Sequence, residues 1–290
     1  MSGSRYTNVI QKTMNPSIQP IKDDIELRKD KEFFWLTGTQ VYVGRQGDGK
    51  TISAVKHAMD IHKRYPRCII VSNLSLKWLS PLVLRLTEEE QAELEALPSR
   101  VAETKTASFL ATRLAEFMRE IDPMRQYVQF SSMDELACVL TRVNNGFRGV
   151  LYVIDEIHTY LNALDSKNVP MYVFTEISQQ RKQRKAIVGT SQLFTRLAKP
   201  LREQCDNMIK CKTFFNIFTI QLAYDGETVE QDINGRLIGN LRRRGWFFHT
   251  REIRNAFDTY QKVVSGVEQY EAAINTTVQI TKKNLKALKS

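Results

Sequence analysis

The stretch Val41-Tyr42-Val43-Gly44-Arg45-Gln46-Gly47-Asp48-Gly49-Lys50-Thr51 constrains this chain more than any other. A short apolar run, a glycine-rich turn and the opening of a helix follow one another, and the turn fits the spacing G-x-x-x-x-G-K-[ST] without mismatch. Glycines at such a turn let the backbone close around an anion, so that successive N–H groups and the positive end of the next helix converge on it. The spacing predicts a polyphosphate cradle built from Gly44, Arg45, Gln46, Gly47, Asp48, Gly49, Lys50 and Thr51. Lys50 would reach the β- and γ-phosphates, and the Thr51 hydroxyl would meet Mg²⁺.

The residues that follow support an alternating α/β chain. Ile52, Val55, Ala58, Met59 and Ile61 recur at helical spacing, which predicts an amphipathic helix from Lys50 to about Tyr65, ended by Pro66. Cys68 to Asn73 is a β-branched run suited to a parallel strand covered on both faces. Residues 74–125 then turn to helix formers with the acidic cluster Glu88-Glu89-Glu90, Glu93 and Glu95, and read as a helical insertion whose acids form a solvated face. A strand at Tyr127–Phe130 and a helix from Met133 to Val143 come next.

The second informative stretch is Gly149-Val150-Leu151-Tyr152-Val153-Ile154-Asp155-Glu156, an apolar strand ending in two carboxylates. By itself such a run also describes any strand meeting solvent; downstream of an intact phosphate loop it predicts Asp155 holding Mg²⁺ and Glu156 polarising an attacking water. A helix from Met171 to Lys185 carries Arg181, Lys182, Arg184 and Lys185 near its end, where cations also complement the helix dipole. The strand Ala186–Gln192 ends in polar residues, and Gln192 reads equally as a γ-phosphate contact or a plain strand end. Phe194 to Arg202 reads as a brief helical element interrupted by Pro200. Asn207–Tyr224 reads as paired strands and a polar hairpin follows near Asn234-Gly235, giving the parallel core an antiparallel edge.

Composition narrows the partner. The net charge of +10 favours a polyanion. Arg242-Arg243-Arg244 beside Trp246-Phe247-Phe248 reads equally as a nucleic-acid grip or as a domain edge, and Lys282 and Lys283 lie in an acid-poor tail. No apolar run is long enough to span a bilayer and the start of the chain has no secretory pattern, so a cytosolic protein is expected, unless a partner holds it at a membrane. Cys68, Cys138, Cys205 and Cys211 are scattered, with neither a zinc nor a disulfide pattern. The expected organisation is a polar arm (1–31), one P-loop domain (32–264) and a basic tail (265–290).

Taken together, Gly44–Thr51, Ser72-Asn73, Leu151–Glu156 with Ile157-His158, and Gln180-Arg181 before a strand ending Thr190-Ser191-Gln192 resemble the HerA/FtsK superfamily of DNA-pumping ATPases. Within it, the chain resembles the genome-packaging ATPases of internal-membrane viruses and the zonular-occludens-toxin-like proteins of filamentous phages. The resemblance implies a RecA-like, mostly parallel sheet, ATP and Mg²⁺ as ligands, and homo-oligomeric rings, usually hexamers, that move double-stranded DNA through a positive channel. It makes Gln192 the sensor glutamine, and makes Arg202, or else Arg181 or Arg184, the arginine that reaches a neighbour's site. Filamentous-phage members usually carry a membrane-spanning segment, and its lack here favours a packaging motor, cytoplasmic or bound at a capsid vertex. An assembly ATPase acting on protein and a nucleotide-dependent switch with little turnover are the competing readings.

Overall fold

The computed structural model describes residues 30–84, 86–119, 126–164, 169–231 and 237–258. The expected arm up to Lys29, the tail with Lys282 and Lys283, and the Asn234-Gly235 turn lie outside the described residues.

Among the described residues eleven strands follow in order: β1 Gly38–Val43, β2 Ile69–Ser72, β3 Pro81–Val83, β4 Tyr127–Gln129, β5 Val150–Ile154, β6 Lys185–Ser191, β7 Cys205–Phe214, β8 Phe218–Asp225, β9 Glu230–Gln231, β10 Leu237–Ile238 and β11 Leu241–Phe248. Nine of them form one sheet in the order β11-β8-β7-β1-β6-β5-β2-β4-β3, while β9 and β10 pair separately. From β7 to β3 all pairings are parallel, and β8 pairs antiparallel with both β7 and β11. This is an α/β P-loop architecture with an antiparallel edge, as the sequence predicts.

Seven helices accompany the strands among the described residues: α1 Lys50–Arg64, α2 Glu88–Glu95, α3 Ser99–Arg119, α4 Met133–Arg142, α5 Met171–Ser178, α6 Lys199–Arg202 and α7 Arg251–Asn255. Strand parity sorts the core into two layers. Tyr42, Ile70, Leu151, Val153 and Val188 face Ala54, Val55, Ala58 and Ile61 of α1, with Ile253 of α7 beside them. Val41, Val43, Val71, Tyr152 and Ile154 face the other way, toward Leu110 and Leu114 of α3, Leu140 of α4 and Phe174 of α5. Because both faces of β5 are covered, all five of its residues are buried, which explains its unbroken apolar run.

Three expectations change. Residues 74–125 are not purely helical: Pro81–Val83 forms β3, the parallel edge strand beside β4. It is short, half exposed and begins with proline, which suits an edge and leaves little periodic signal. The helix expected from Met171 to Lys185 stops at Ser178. Gln180 turns inward there to bond the Thr39 hydroxyl, and Arg184 takes a left-handed φ of 53°, so the chain is already entering β6 at Lys185. Finally, the Phe194–Arg202 element is two pieces, a 3₁₀ turn at Phe194–Arg196 and α6, with Pro200 tolerated inside the first turn of the second.

Candidate active site

All parallel strands end on the same side of the sheet, and the phosphate loop leaves β1 there. Gly47 and Gly49 both have φ of 81°, a left-handed conformation that glycine adopts at little cost. Gly49 is constrained a second time: a Cβ on it would fall 2.3 Å from Thr213 Oγ1 and 2.5 Å from Thr219 Oγ1, on β7 and β8. Asp48 staples the loop, its Oδ2 accepting from Arg45 N at 2.8 Å and its Oδ1 pairing with Lys212 Nζ at 3.0 Å. Lys50 is buried, and its ammonium bonds the loop carbonyl of Arg45 at 3.2 Å.

The carboxylates of β5 reach this loop across one intervening strand, since β6 lies between β1 and β5. Thr51 Oγ1 donates to Asp155 Oδ1 at 2.8 Å, and Thr190 Oγ1, from β6, donates to the same oxygen at 2.7 Å. Asn73 clamps the backbone of Asp155 from β2, accepting from its N–H at 2.8 Å and donating to its carbonyl at 2.9 Å. Burial pushes the Asp155 carboxyl above its ordinary range, while the Thr190 and Thr51 hydroxyls and the Lys50 charge oppose that rise.

Glu156 is held in an unusual way. Its φ of 46° and ψ of 48° are left-handed, a strain of about 1–3 kcal/mol for a non-glycine residue. The Thr190 hydroxyl accepts from its N–H at 2.8 Å and so fixes both acidic residues at once. Its Oε1 lies 3.8 Å from Lys50 Nζ, and its buried Oε2, 3.2 Å from His158 Nδ1, meets no group among the described residues in hydrogen-bond geometry. Burial raises its pKa, opposed first by Lys50. His158 is pushed the other way by burial, with Arg196 and Lys50 adding to the shift, which favours the neutral ring. Ser191 Oγ donates to Leu193 O at 2.8 Å, which leaves His158 Nδ1 as the donor in its 3.3 Å contact with Ser191.

These groups fit a nucleoside triphosphate with its metal. Within a loop of nucleotide-binding spacing, the buried Lys50 ammonium turns back on the Arg45 carbonyl and lies 3.8 Å from the Glu156 carboxylate. Thr51 and Asp155 supply oxygen donors suited to a hard cation. Among the described residues no group of three or more His, Cys, Asp or Glu could hold a metal alone, so phosphate oxygens would have to complete the coordination.

The other sequence candidates separate. Gln192 sits just past β6, exposed, its Oε1 accepting from Arg196 Nη1 at 3.4 Å. Arg202 ends α6, three residues before Cys205, which pairs with Thr39 at the beginning of β1; it therefore lies at the sheet end opposite the phosphate loop, with a buried Nε that has no hydrogen-bond partner among the described residues. Arg181 is at that same end, bonded to Asp206 Oδ1 at 2.7 Å, and Arg184 lies over the Phe33 ring at 4.2 Å. Neither Arg202 nor Arg181 is near its own subunit's loop. The triplet on β11 is also divided: Arg242 pairs with Asp225 at 2.8 Å, Arg243 lines a small cavity with Lys56 and Phe247, and Arg244 points to the opposite face.

Sequence reasoning missed Thr190 as the tie between the two acids and Arg196 as a second cation, beside Lys50, whose charge acts on Glu156 and His158. Thr190 offered only its place in a strand end, and Arg196 gave no signal, because its position depends on the turn after β6. Among the described residues no helix is long and apolar enough to cross a membrane, and all four cysteines are buried and free.

Curated protein sequences give no match. Among solved structures, the N-terminal domain of zonular occludens toxin from Neisseria meningitidis is 12% identical, covering 77% of this chain and 100% of that one at a TM-score of 0.45. The genome packaging NTPase B204 of Sulfolobus turreted icosahedral virus 2, in complex with ATP-gammaS, is 11% identical, with 70% and 95% covered at 0.39. B204, the DNA-packaging ATPase from Sulfolobus turreted icosahedral virus, is 11% identical, with 69% and 95% covered at 0.38. The zonular occludens toxin (Zot) family matches residues 39–219, a span holding the phosphate loop, the carboxylate strand and the strand between them. The chain belongs to the zonular occludens toxin family.

Proposed function

We propose that this protein is a ring-forming ATPase that couples ATP hydrolysis to movement of double-stranded DNA, as in filling a viral capsid. The observation that carries hydrolysis is the meeting of loop and acids: Thr51 bonds Asp155 at 2.8 Å and Glu156 lies 3.8 Å from Lys50. A switch that only binds nucleotide has no need of a strained, desolvated carboxylate beside its phosphate-binding lysine.

In this reading, the loop N–H groups and Lys50 hold the β- and γ-phosphates. Thr51 and Asp155 hold Mg²⁺, which supplies charge neutralisation on the phosphate oxygens. Glu156 takes a proton from water as its oxygen attacks the γ-phosphorus; the bond to the β–γ bridging oxygen breaks, and ADP and phosphate leave. His158 packs against the Glu156 carboxylate, and Gln192, in contact with Arg196, would serve as the γ-phosphate sensor. Arg202 and Arg181, remote from their own loop, would serve only a neighbouring subunit's site, which supports a ring, in the usual form a hexamer. The net charge of +10 supports a polyanionic load. The protein would act in the cytoplasm or at a capsid vertex, with a capsid or membrane-associated partner.

The test is ATP turnover with and without double-stranded DNA, beside a mass measurement in ATP. Lys50→Ala should abolish turnover and Glu156→Gln should retain bound ATP. Persistent turnover in Lys50→Ala removes the site assignment. Turnover indifferent to DNA, without salt-sensitive DNA binding, transfers the load to protein.

A further inference from the structure

Among the described residues, the antiparallel edge of the sheet has one covered face and one open face. Pairing across β7, β8 and β11 places three rows on the open side: Lys210–Leu222–Arg244, Lys212–Ile220–Trp246 and Phe214–Phe218–Phe248. Behind them, Ile209, Cys211, Thr219, Ala223 and Phe247 are buried on the α1 side. The apolar cover on the open side ends at Met208 and Tyr224, which join the cluster beneath α4 and α5. None of the nine residues in the rows is buried, and Trp246 and Phe248 are 66% and 56% exposed.

The chemistry of this face is selective. Its rows carry no carboxylate and three cations, of which Lys212 is held by Asp48 of the phosphate loop while Lys210 and Arg244 stand at the end away from the aromatic row. Its rings already touch one another: Phe214 stacks on Phe218 at 5.4 Å, Phe218 meets Phe248 at 6.0 Å, and Trp246 meets Phe248 edge-on at 5.3 Å. Phe215 and Ile217, in the turn after β7, extend the exposed apolar rim. Apolar surface exposed this way marks a binding site. A duplex offers phosphates but keeps its base faces stacked inside, and a protein partner's apolar patch would leave the cations without a use. An unpaired polynucleotide presents phosphates and free base faces together.

We propose that this face binds a single-stranded stretch of nucleic acid, its bases stacking on Phe214, Trp246 and Phe248 and its phosphates lying along Lys210 and Arg244. Trp246 and Phe248, alternate residues of β11, hold their ring centres 5.3 Å apart against the ~3.4 Å between stacked bases of a duplex strand, so bases lying on them are parted from one another. The inference rests on nucleic acid being the load, and names the form it takes at this face.

Equilibrium binding to the full chain without nucleotide tests it, using labelled oligo(dT) and a duplex of the same length at two salt concentrations. Oligo(dT) should bind at least about tenfold more tightly than duplex. The double variant Trp246→Ala/Phe248→Ala should lose about tenfold or more of that affinity while Trp246→Tyr retains it, and Arg244→Ala should lower the salt slope by about 0.7. Equal affinity for both forms, or an unchanged double variant, overturns the proposal. If the double variant instead loses self-association in sedimentation while DNA binding is unchanged, the occupant is a second copy of this chain and the proposal fails. ATP turnover indifferent to DNA, with oligo(dT) binding still dependent on the aromatic side chains, removes the motor reading alone; DNA-stimulated turnover with no contribution from those side chains removes this one alone.

Discussion

Thr190→Val isolates the tie between the two acids. Valine keeps the shape of threonine and removes one hydroxyl, which accepts from Glu156 N at 2.8 Å and donates to Asp155 Oδ1 at 2.7 Å. An enclosed N–H left without an acceptor costs about 1–3 kcal/mol, and a hydrogen bond to a charged group contributes about 1.5–3 kcal/mol. One group makes both bonds, so the losses overlap and the net is about 2–4 kcal/mol. For a domain of this size that lowers the melting temperature by about 4–8 °C. The kinetic effect should exceed the thermal one, since the freed Glu156 can relax from φ 46° and carry its carboxylate away from Lys50. Misplacing a reacting group by about 1 Å costs on the order of 10²-fold in rate. The assay is melting and ATP turnover for Thr190→Val beside Thr190→Ser, which keeps the hydroxyl. A valine variant melting with the parent, or a serine variant as impaired as valine, refutes the reasoning.

Gly47→Ala and Gly49→Ala share a φ of 81° but not their surroundings. The first, with open space around it, should cost about 1–2 kcal/mol; the second must also displace two threonine hydroxyls, so chemical denaturation should show it clearly less stable, and equal losses would contradict the packing described. Arg196→Ala should lower kcat with little change in KM for ATP, because the side chain lies by Gln192 and acts on the Glu156–His158 pair; a rise in KM alone would make it a binding residue. His57 is held at a pKa of about 4 by burial, against an ordinary 6.5, with Asp60 opposing and Arg243 and Lys56 reinforcing. The unfolded chain therefore takes up a proton that the folded one refuses, and stability is lost as pH falls from about 6.5 to about 4, by at most ~3 kcal/mol. His57→Gln should flatten the denaturation midpoint across that window; a parallel decline in both proteins would refute the assignment.

The parts legible from sequence were those whose chemistry is local. Gly44–Thr51 needs only its own glycines and the helix after it, and Val150–Ile154 announces its burial by unbroken apolar residues. What sequence concealed depends on partners far along the chain. Nothing near Pro81–Val83 says that β4 will pair with it, and nothing near Gln180 says that Thr39 will draw it inward and end α5. Arg181 and Arg202 entered through the resemblance, as candidates for a neighbour's site, and nothing in their local sequence says that the path into β7 puts them at the sheet end opposite their own phosphate loop. The arginine triplet looked like one patch, but successive strand residues face opposite ways, and Asp225 already holds Arg242.

The phosphate loop is gripped from both flanks by residues distant in sequence, and this bears on how a site of this kind transmits its state. On one flank Thr190 and Asn73 fix the acids to β6 and β2. On the other, Thr213 and Thr219 stand where a side chain at position 49 would have to go and Lys212 holds Asp48, so the loop is tied to the β7–β8 hairpin. Thr213 and Thr219 share a hydroxyl contact of 2.7 Å, and Thr219 continues to His249 Nε2 at 2.7 Å, at the end of β11. The same strands carry Phe214, Phe218 and Phe248 on their open side. A displacement of Gly49 on filling the loop would therefore reach the aromatic row through one layer of packed side chains, with no hinge or separate domain between them.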